Sequence, residues 1–367
     1  MNKVIKIVSN QKDNILEVRW MVNNVCNYNC RYCWPGSHDG SFKSPENIDQ
    51  IIDNFDHMFT YYKTHLNKTR FHLKVGGGEP TLWKDLGYFI EQLKKRHNIY
   101  FTVISNGSRT LRWWKEYGHL IDNATLSYHV AEANPDHMIA VADTLYELGK
   151  KTSVKVLMDP NLWDESVRVL EYMKTSKHSW FLTATEVIEP EHVASNVIEI
   201  VDENKKRYTP EQRSYFKNAL KRMPGWSWIF KNIKLLIGGE IKLFESTAYL
   251  DNGTTIKARP ETYILNGWNN FKGWSCNIGL ESVYIHWDGE VVGSCQETLY
   301  GLDYRYNILD SNFVQNFHPD LKPIVCNQNN CFCGTETHIS KFDLSKRDIS
   351  GTGTEVSITD DRVIRHH

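Results

Sequence analysis

Between residues 15 and 195, apolar runs of strand length alternate with longer stretches whose apolar residues recur every three or four positions. Leu16 to Asn23 reads as a first strand. Ser44-Pro45-Glu46 opens a helix, with Ser as cap and Pro in the first turn, that runs to about Tyr62. Phe71–Val75 reads as the second strand, and Leu86 to His97 as a helix with apolar residues at Leu86, Phe89, Ile90 and Leu93. Tyr100 to Ser105 is a third strand closed by Asn106-Gly107, Leu111 to Tyr117 a helix, and Ala124–His129 a fourth strand. Pro135 to Gly149 is a helix with glycine as its stop, Val154–Met158 a fifth strand, Trp163–Lys174 a helix, and Trp180–Thr185 a sixth strand. Strands separated by helices imply parallel βα units, too few here for a closed eight-unit barrel. In such sheets ligands sit at the C-terminal ends of the strands.

The pattern changes after residue 195. Asp202–Lys206 and Glu211–Arg222 are charged and helical in spacing, and Trp226, Trp228 and Phe230 follow. A hairpin is expected around Asn252-Gly253. This stretch reads as a bridge that also covers the open end of the sheet, its aromatics serving packing before substrate contact. A second hairpin, Val283-Tyr-Ile-His-Trp-Asp288-Gly289-Glu-Val-Val, turns at Asp288-Gly289. The segment after Lys341 is polar, and loose order is expected from Asp343 onward. The expected division is 1–195, 196–262, 263–341 and a polar tail at 342–367.

Apolar residues make up 41% of the 367, enough for a packed core. The formal net charge of -1 argues against a general nucleic-acid or membrane-surface binder. No apolar run reaches membrane-spanning length and the N-terminus lacks a signal-peptide core, so a cytoplasmic location is expected. Eight cysteines in an intracellular chain point to metal or redox chemistry before disulfides. Three lie at 26–33 and five at 276–333.

The first group, Cys26-Asn-Tyr-Asn-Cys30-Arg-Tyr-Cys33, follows directly on the first strand. Three cysteines at this spacing can ligate three irons of a four-iron cluster and leave the fourth open to another ligand. A zinc site is the competing reading of the triplet alone. The second strand ends in Gly76-Gly77-Gly78-Glu79-Pro80. Glycines let backbone approach a ligand closely, and a carboxylate accepts hydrogen bonds from an ammonium. Taken alone, this segment is also an ordinary strand-to-helix turn.

The cysteine loop, with Tyr32 before its last cysteine, resembles the signature of the radical S-adenosylmethionine (radical SAM) superfamily, and Gly77-Gly78-Glu79 resembles that family's GGE motif. The resemblance implies an α/β fold with a partial (β/α)6 barrel. It implies a [4Fe-4S] cluster on Cys26, Cys30 and Cys33 that binds SAM, cleaves it reductively, and so produces a 5′-deoxyadenosyl radical that abstracts substrate hydrogen. It implies that Tyr32 packs near the adenine and that Gly77, Gly78 and Glu79 hold the methionyl ammonium. Ser105 and Asn106 resemble positions that bind the ribose or carboxylate of SAM. Ser127 and His129 end the fourth strand at the same mouth, though a histidine there is also a common packing residue. Lys155 either pairs with the SAM carboxylate or turns outward, whereas His72 and His97 read as packing or surface positions. A flavodoxin- or ferredoxin-type reductant is the usual partner of the family.

Cys276, the hairpin, Cys295, and then Cys326-x4-Cys331-x-Cys333 resemble the SPASM and twitch extensions, small cysteine-rich domains that hold auxiliary clusters. Five cysteines fit one auxiliary [4Fe-4S] cluster, hence the twitch form. Cys276, Cys295, Cys331 and Cys333 are the expected ligands, with Cys326 as a substitute. The terminal spacing departs from the expected C-x2-C, and a structural zinc is the alternative. Two functions follow from the resemblance. One is oxidation or another radical reaction of a small molecule: a sugar, a nucleotide-linked sugar or an aminocyclitol. The other is crosslinking or epimerisation of a ribosomal peptide; with only 25 residues before Cys26, it would rely on a separate leader-binding protein. A non-enzymatic iron–sulfur regulator would have no need of the GGE-like turn.

Overall fold

The computed structural model describes residues 3–33, 36–178, 180–187, 207–219, 245–258, 260–293, 306–327, 329, 331 and 336–346. Asp202–Lys206, Trp226, Trp228, Phe230, Cys295 and Cys333 lie outside the described residues. The fold is mixed α/β. In chain order its first half runs β1 (Val4–Ser9), β2 (Ile15–Met21), α1 (Ile48–Leu66), β3 (Arg70–Gly76), α2 (Leu86–Arg96), β4 (Ile99–Ser105) and α3 (Leu111–Tyr117). It continues with β5 (Asn123–His129), α4 (Pro135–Glu147), β6 (Lys151–Met158), α5 (Trp163–Met173) and β7 (Phe181–Glu186). The later strands are β8 (Ser246–Leu250), β9 (Thr255–Ala258), β10 (Trp274–Cys276), β11 (Ser282–Ile285), β12 (Glu290–Val292), β13 (Tyr306–Asn307), β14 (Ile324–Val325) and β15 (Lys341–Asp343). These elements form two compact units. Unit 1 comprises Met1–Arg19, Asp49–His72 and Gly238–His367, and unit 2 comprises Trp20–Ile48 and Leu73–Ile237.

Unit 2 holds the parallel sheet. β4, β5, β6 and β7 pair in parallel in that order, and the C-terminal ends of β3 and β2 continue it beyond β4. Its helices begin where side chains satisfy free amides: Thr110 accepts from Trp113 N at α3, and Asn134 accepts from His137 N, ahead of Pro135, at α4. Alternation along β5 and β6 sorts the two faces of the sheet. Ala124, Leu126, Tyr128, Val154, Val156 and Met158 are buried on the face that meets α4 and α5. The other face is polar and more open, with Thr125, Ser127, His129, Ser153 and Lys155. Near the start of the sheet, Trp20 packs edge-on against Trp83 and Phe89, with ring centroids 5.5 and 5.3 Å apart.

Unit 1 is built on an antiparallel sheet with the order β14-β10-β15-β1-β8-β9. Both expected hairpins are present. β8 and β9 turn at Asn252-Gly253, with Gly253 at φ +81°, and β11 and β12 turn at Asp288-Gly289, with Gly289 at φ +88°. Gly289 is required twice over, because a Cβ there would lie 2.2 Å from Asn307 Oδ1. On α1, Asn54 donates to Ile308 O and Asp310 O, and Tyr62 donates to Gly279 O.

Two expectations fail. The first helix begins at Ile48 instead of Ser44. Ser44 Oγ accepts a hydrogen bond from Asn23, and Pro45 O accepts from Trp83 Nε1, so that segment is committed to the loop ahead of the helix. The tail is ordered further than expected: Lys341–Asp343 is a strand between β10 and β1, followed by a 3-10 turn at Leu344–Lys346. Its polar residues are stabilised by sheet pairing that no local signal announces. The same sheet groups β1 with segments beyond residue 238, where a division along the chain keeps β1 with residues 1–195. Among the described residues, no helix is long and apolar enough to cross a membrane.

Candidate functional site

The cysteine loop leaves the end of β2 through two fully buried asparagines, Asn23 and Asn24. Asn24 Nδ2 donates to Gly36 O, Asp39 Oδ1 and Ser41 Oγ at 2.6 to 2.9 Å, and its Oδ1 accepts from Phe42 N. One side chain therefore closes the loop from both ends. The glycine turn after β3 lies directly against this chain. Gly78 N donates to Asn23 O and Glu79 N to Val25 O, at 2.8 and 2.7 Å. A Cβ on Gly77 would stand 2.3 Å from Asn23 O, and one on Gly78 2.4 Å from Val25 O, so the approach is open only to glycine.

Glu79 is completely buried. Its Oε1 accepts from Thr81 N, Thr81 Oγ1 and Ser105 Oγ at 2.9, 2.5 and 2.8 Å, and its Oε2 accepts from Asn106 N at 2.6 Å. Three of those donors fall on Oε1 and one on Oε2, where a carboxylate offers about two lone-pair sites per oxygen. Burial raises its pKa, and these hydrogen bonds oppose the rise. In this structure Glu79 therefore faces inward and ties the end of β3 to the end of β4. Asn106 completes the link, its Nδ2 lying 3.7 Å from Cys26 Sγ and 3.1 Å from Asn27 Oδ1. The structure thus brings together Cys26, Gly77, Gly78, Glu79, Ser105 and Asn106.

Cys30, Tyr32 and His129 form a second contact set. His129 Nδ1 lies 3.2 Å from Cys30 Sγ and 3.0 Å from Tyr32 Oη, and the Tyr32 and His129 rings stack at 5.8 Å. Burial depresses the His129 pKa to about 4, so the ring is neutral near pH 7. Burial pushes the Cys30 thiol up to about 12, with the Glu132 carboxylate adding to the rise, and burial also raises Cys26. Such thiols stay protonated until a metal takes the place of the proton. Ser127 lies on the same strand face as His129, two residues away.

Sequence reasoning missed two supports. Arg31 binds Asp159 at 2.5 Å, pinning the cysteine loop to the end of β6, and Tyr28 packs edge-on against His129 at 5.9 Å. An arginine between the cysteines and an aspartate at a strand end were the signals available for the first of these.

In unit 1, Cys276, Cys326 and Cys331 are all buried. Burial pushes Cys276 up to about 11 and raises Cys331, while the Lys341 ammonium works against the rise at both. Lys341 is itself buried, its Nζ donating to the carbonyls of Glu336, Thr337 and Ile339. Among the described residues, no three of His, Cys, Asp or Glu converge tightly enough to hold a single metal ion. None of the described cysteines is in a disulfide.

Known proteins match this chain in part. GTPase Obg of Brachyspira hyodysenteriae (strain ATCC 49526 / WA1) is 33% identical over 105 residues, 28% of this chain and 15% of that protein. GTP 3',8-cyclase of Pasteurella multocida (strain Pm70) is 28% identical over 135 residues, 34% of this chain and 36% of that protein. The chain thus spans well under two thirds of the length of these relatives. Among solved structures, native anSMEcpe with bound AdoMet and Kp18Cys peptide aligns with a TM-score of 0.47 at 17% identity, covering 83% of this chain and 81% of that one. The sequence match to the Radical SAM superfamily covers residues 20–183, slightly less than half of the chain. Residues 20–183 therefore match the Radical SAM superfamily as a domain within this chain.

Proposed function

We propose that this enzyme cleaves S-adenosylmethionine reductively and abstracts hydrogen from a small-molecule substrate, with an auxiliary four-iron cluster in unit 1. The observation that carries the reading is Asn106, which reaches Cys26 with its side chain and Glu79 with its backbone. One residue links the cysteine loop to the glycine turn. The donor set suits a cluster. Cys26, Cys30 and Cys33 are half-buried thiols beside one another, and Tyr28 N and Asn106 Nδ2 point at the Cys26 sulfur. When bound, the cluster and SAM supply the deoxyadenosyl radical. The chain's own part is to hold the loop rigid through Asn24 and Arg31, to bring the Gly77-Gly78 backbone close, and to line the open face of the sheet with polar groups. The auxiliary cluster would be held by Cys276, Cys295, Cys331 and Cys333, with Cys326 as a substitute; of these, Cys276, Cys326 and Cys331 are among the described residues and are buried.

The first test is iron content after anaerobic reconstitution. Wild type is expected to bind roughly eight irons per chain, and a variant with Cys26, Cys30 and Cys33 all changed to Ala about four. Four irons falling to none would remove the auxiliary cluster. Absence of 5′-deoxyadenosine from loaded, reduced wild type would remove the reading itself. That triple variant also isolates the auxiliary site. In it, Lys341→Met is expected to lower the cluster's reduction potential by on the order of tens of millivolts, because a buried positive charge beside Cys276 and Cys331 favours the reduced state. A redox titration followed by EPR checks this.

A further inference from the structure

The open face of the parallel sheet carries one lysine whose surroundings specify a ligand. Lys155 lies directly opposite Ser127 on β5 and Thr183 on β7. Alternation puts all three on the face that bears His129, away from α4 and α5. Lys155 is exposed, and among the described residues its ammonium has no hydrogen-bond or ion-pair partner. The hydroxyls of Ser127 and Thr183 are likewise unpartnered there. The same face of β4 to β7, followed through the registers Thr102↔Asn123, Ser127↔Lys155 and Lys155↔Thr183, contains no Asp or Glu. The other lysine on this face, Lys151, stands at the opposite end of β6.

A cation flanked by two hydroxyls, with no carboxylate to compensate it, is a donor set for an oxyanion. Its depth is also informative. One step further along the strands, His129 lies opposite Leu157, and His129 touches Cys30. Two strand residues span roughly 7 Å. The donor row therefore sits about one small-molecule diameter beneath the cysteine loop. We propose that Ser127, Lys155 and Thr183 form the subsite for a phosphate or carboxylate of the substrate, so that the enzyme acts on an anionic small molecule. The proposal rests on the radical SAM reading, which places the chemistry at the cysteine loop. The same ammonium could meet the carboxylate of SAM instead, and the test separates the two sources.

Calorimetric titrations with inorganic pyrophosphate, succinate and SAM are run on the reconstituted protein, each anion with and without SAM, for wild type, Lys155→Met and Lys155→Arg. At least one of the two anions is expected to bind wild type. Lys155→Met should weaken that binding about tenfold or more, Lys155→Arg should stay within about threefold, and SAM affinity should change less than about twofold. Because Lys155 is exposed and unpaired, both variants should melt with the wild type. Three results would overturn the proposal: neither anion binds wild type, Lys155→Met leaves anion affinity unchanged, or the loss falls on SAM affinity. Anion binding through Lys155 in a protein that cleaves no SAM would instead overturn the function and leave the subsite standing.

Discussion

Cys30→Ala is expected to reduce formation of 5′-deoxyadenosine from S-adenosylmethionine to background under strong reductant, while the folded structure survives. The thiol is only half-buried, and the contact it loses, His129 at 3.2 Å, is one that Tyr32 also makes with the same nitrogen. The stability cost is therefore about 1 kcal/mol, within the ordinary range for a single substitution. The chemical cost is of another order. Burial, with the Glu132 carboxylate adding to it, pushes this thiol up to about 12, so no free thiolate stands ready at neutral pH. Such a cysteine makes chemical sense as a ligand whose proton is displaced by metal, and removing one of three ligands leaves a cluster without its anchoring set. Chromatography of the reduced reaction mixture measures the product, and circular dichroism checks the fold. Cleavage at the wild-type rate would eliminate the assignment of the loop.

Much of unit 2 was legible because its signals are local. The strands predicted at Phe71–Val75, Tyr100–Ser105 and Ala124–His129 each lie within one residue of the observed bounds, and Leu111–Tyr117 matches at both ends. Parallel βα units repeat a strand pattern, a helix pattern and a cap within some thirty residues, so periodicity alone exposes them. Both hairpins were legible for the same reason: an Asn-Gly and an Asp-Gly turn, with the glycine at positive φ. What stayed hidden is non-local. β1 pairs Val4 with Leu250 and Lys6 with Phe342, across more than two hundred residues. No pattern within Val4–Ser9 names those partners. The false helix start at Ser44 has a related cause. Its cap chemistry was read correctly in kind, but the Ser44 hydroxyl is taken by Asn23. Arg31 and Asp159 likewise meet across 128 residues, invisible to spacing.

Glu79→Ala is expected to weaken SAM binding at least tenfold and to destabilise the protein by roughly 3–5 kcal/mol, because it strands several buried donors together. Asn106 N and Thr81 N point at the carboxylate from fixed backbone and cannot turn away, whereas the Thr81 and Ser105 hydroxyls can. Glu79→Gln separates two ways in which the residue can serve SAM. If the carboxylate met the methionyl ammonium directly, loss of its charge would weaken SAM as much as Ala does. If it acts by holding Asn106 against the cysteine loop, the amide oxygen can still accept from Asn106 N, the hydroxyls can reverse, Thr81 N alone is left facing the amide nitrogen, and most of the affinity should return. The geometry favours the second, since the carboxylate is completely buried and already accepts from four protein donors, three on Oε1 and one on Oε2. Glu79→Gln should therefore keep SAM affinity within about fivefold of wild type at a stability cost of about 1–2 kcal/mol, with iron content unchanged in both variants. Thermal melting, iron analysis and calorimetry with SAM supply the three readings. Equal loss of affinity in Gln and Ala would assign Glu79 to the ammonium itself; full affinity in Ala would remove it from the site.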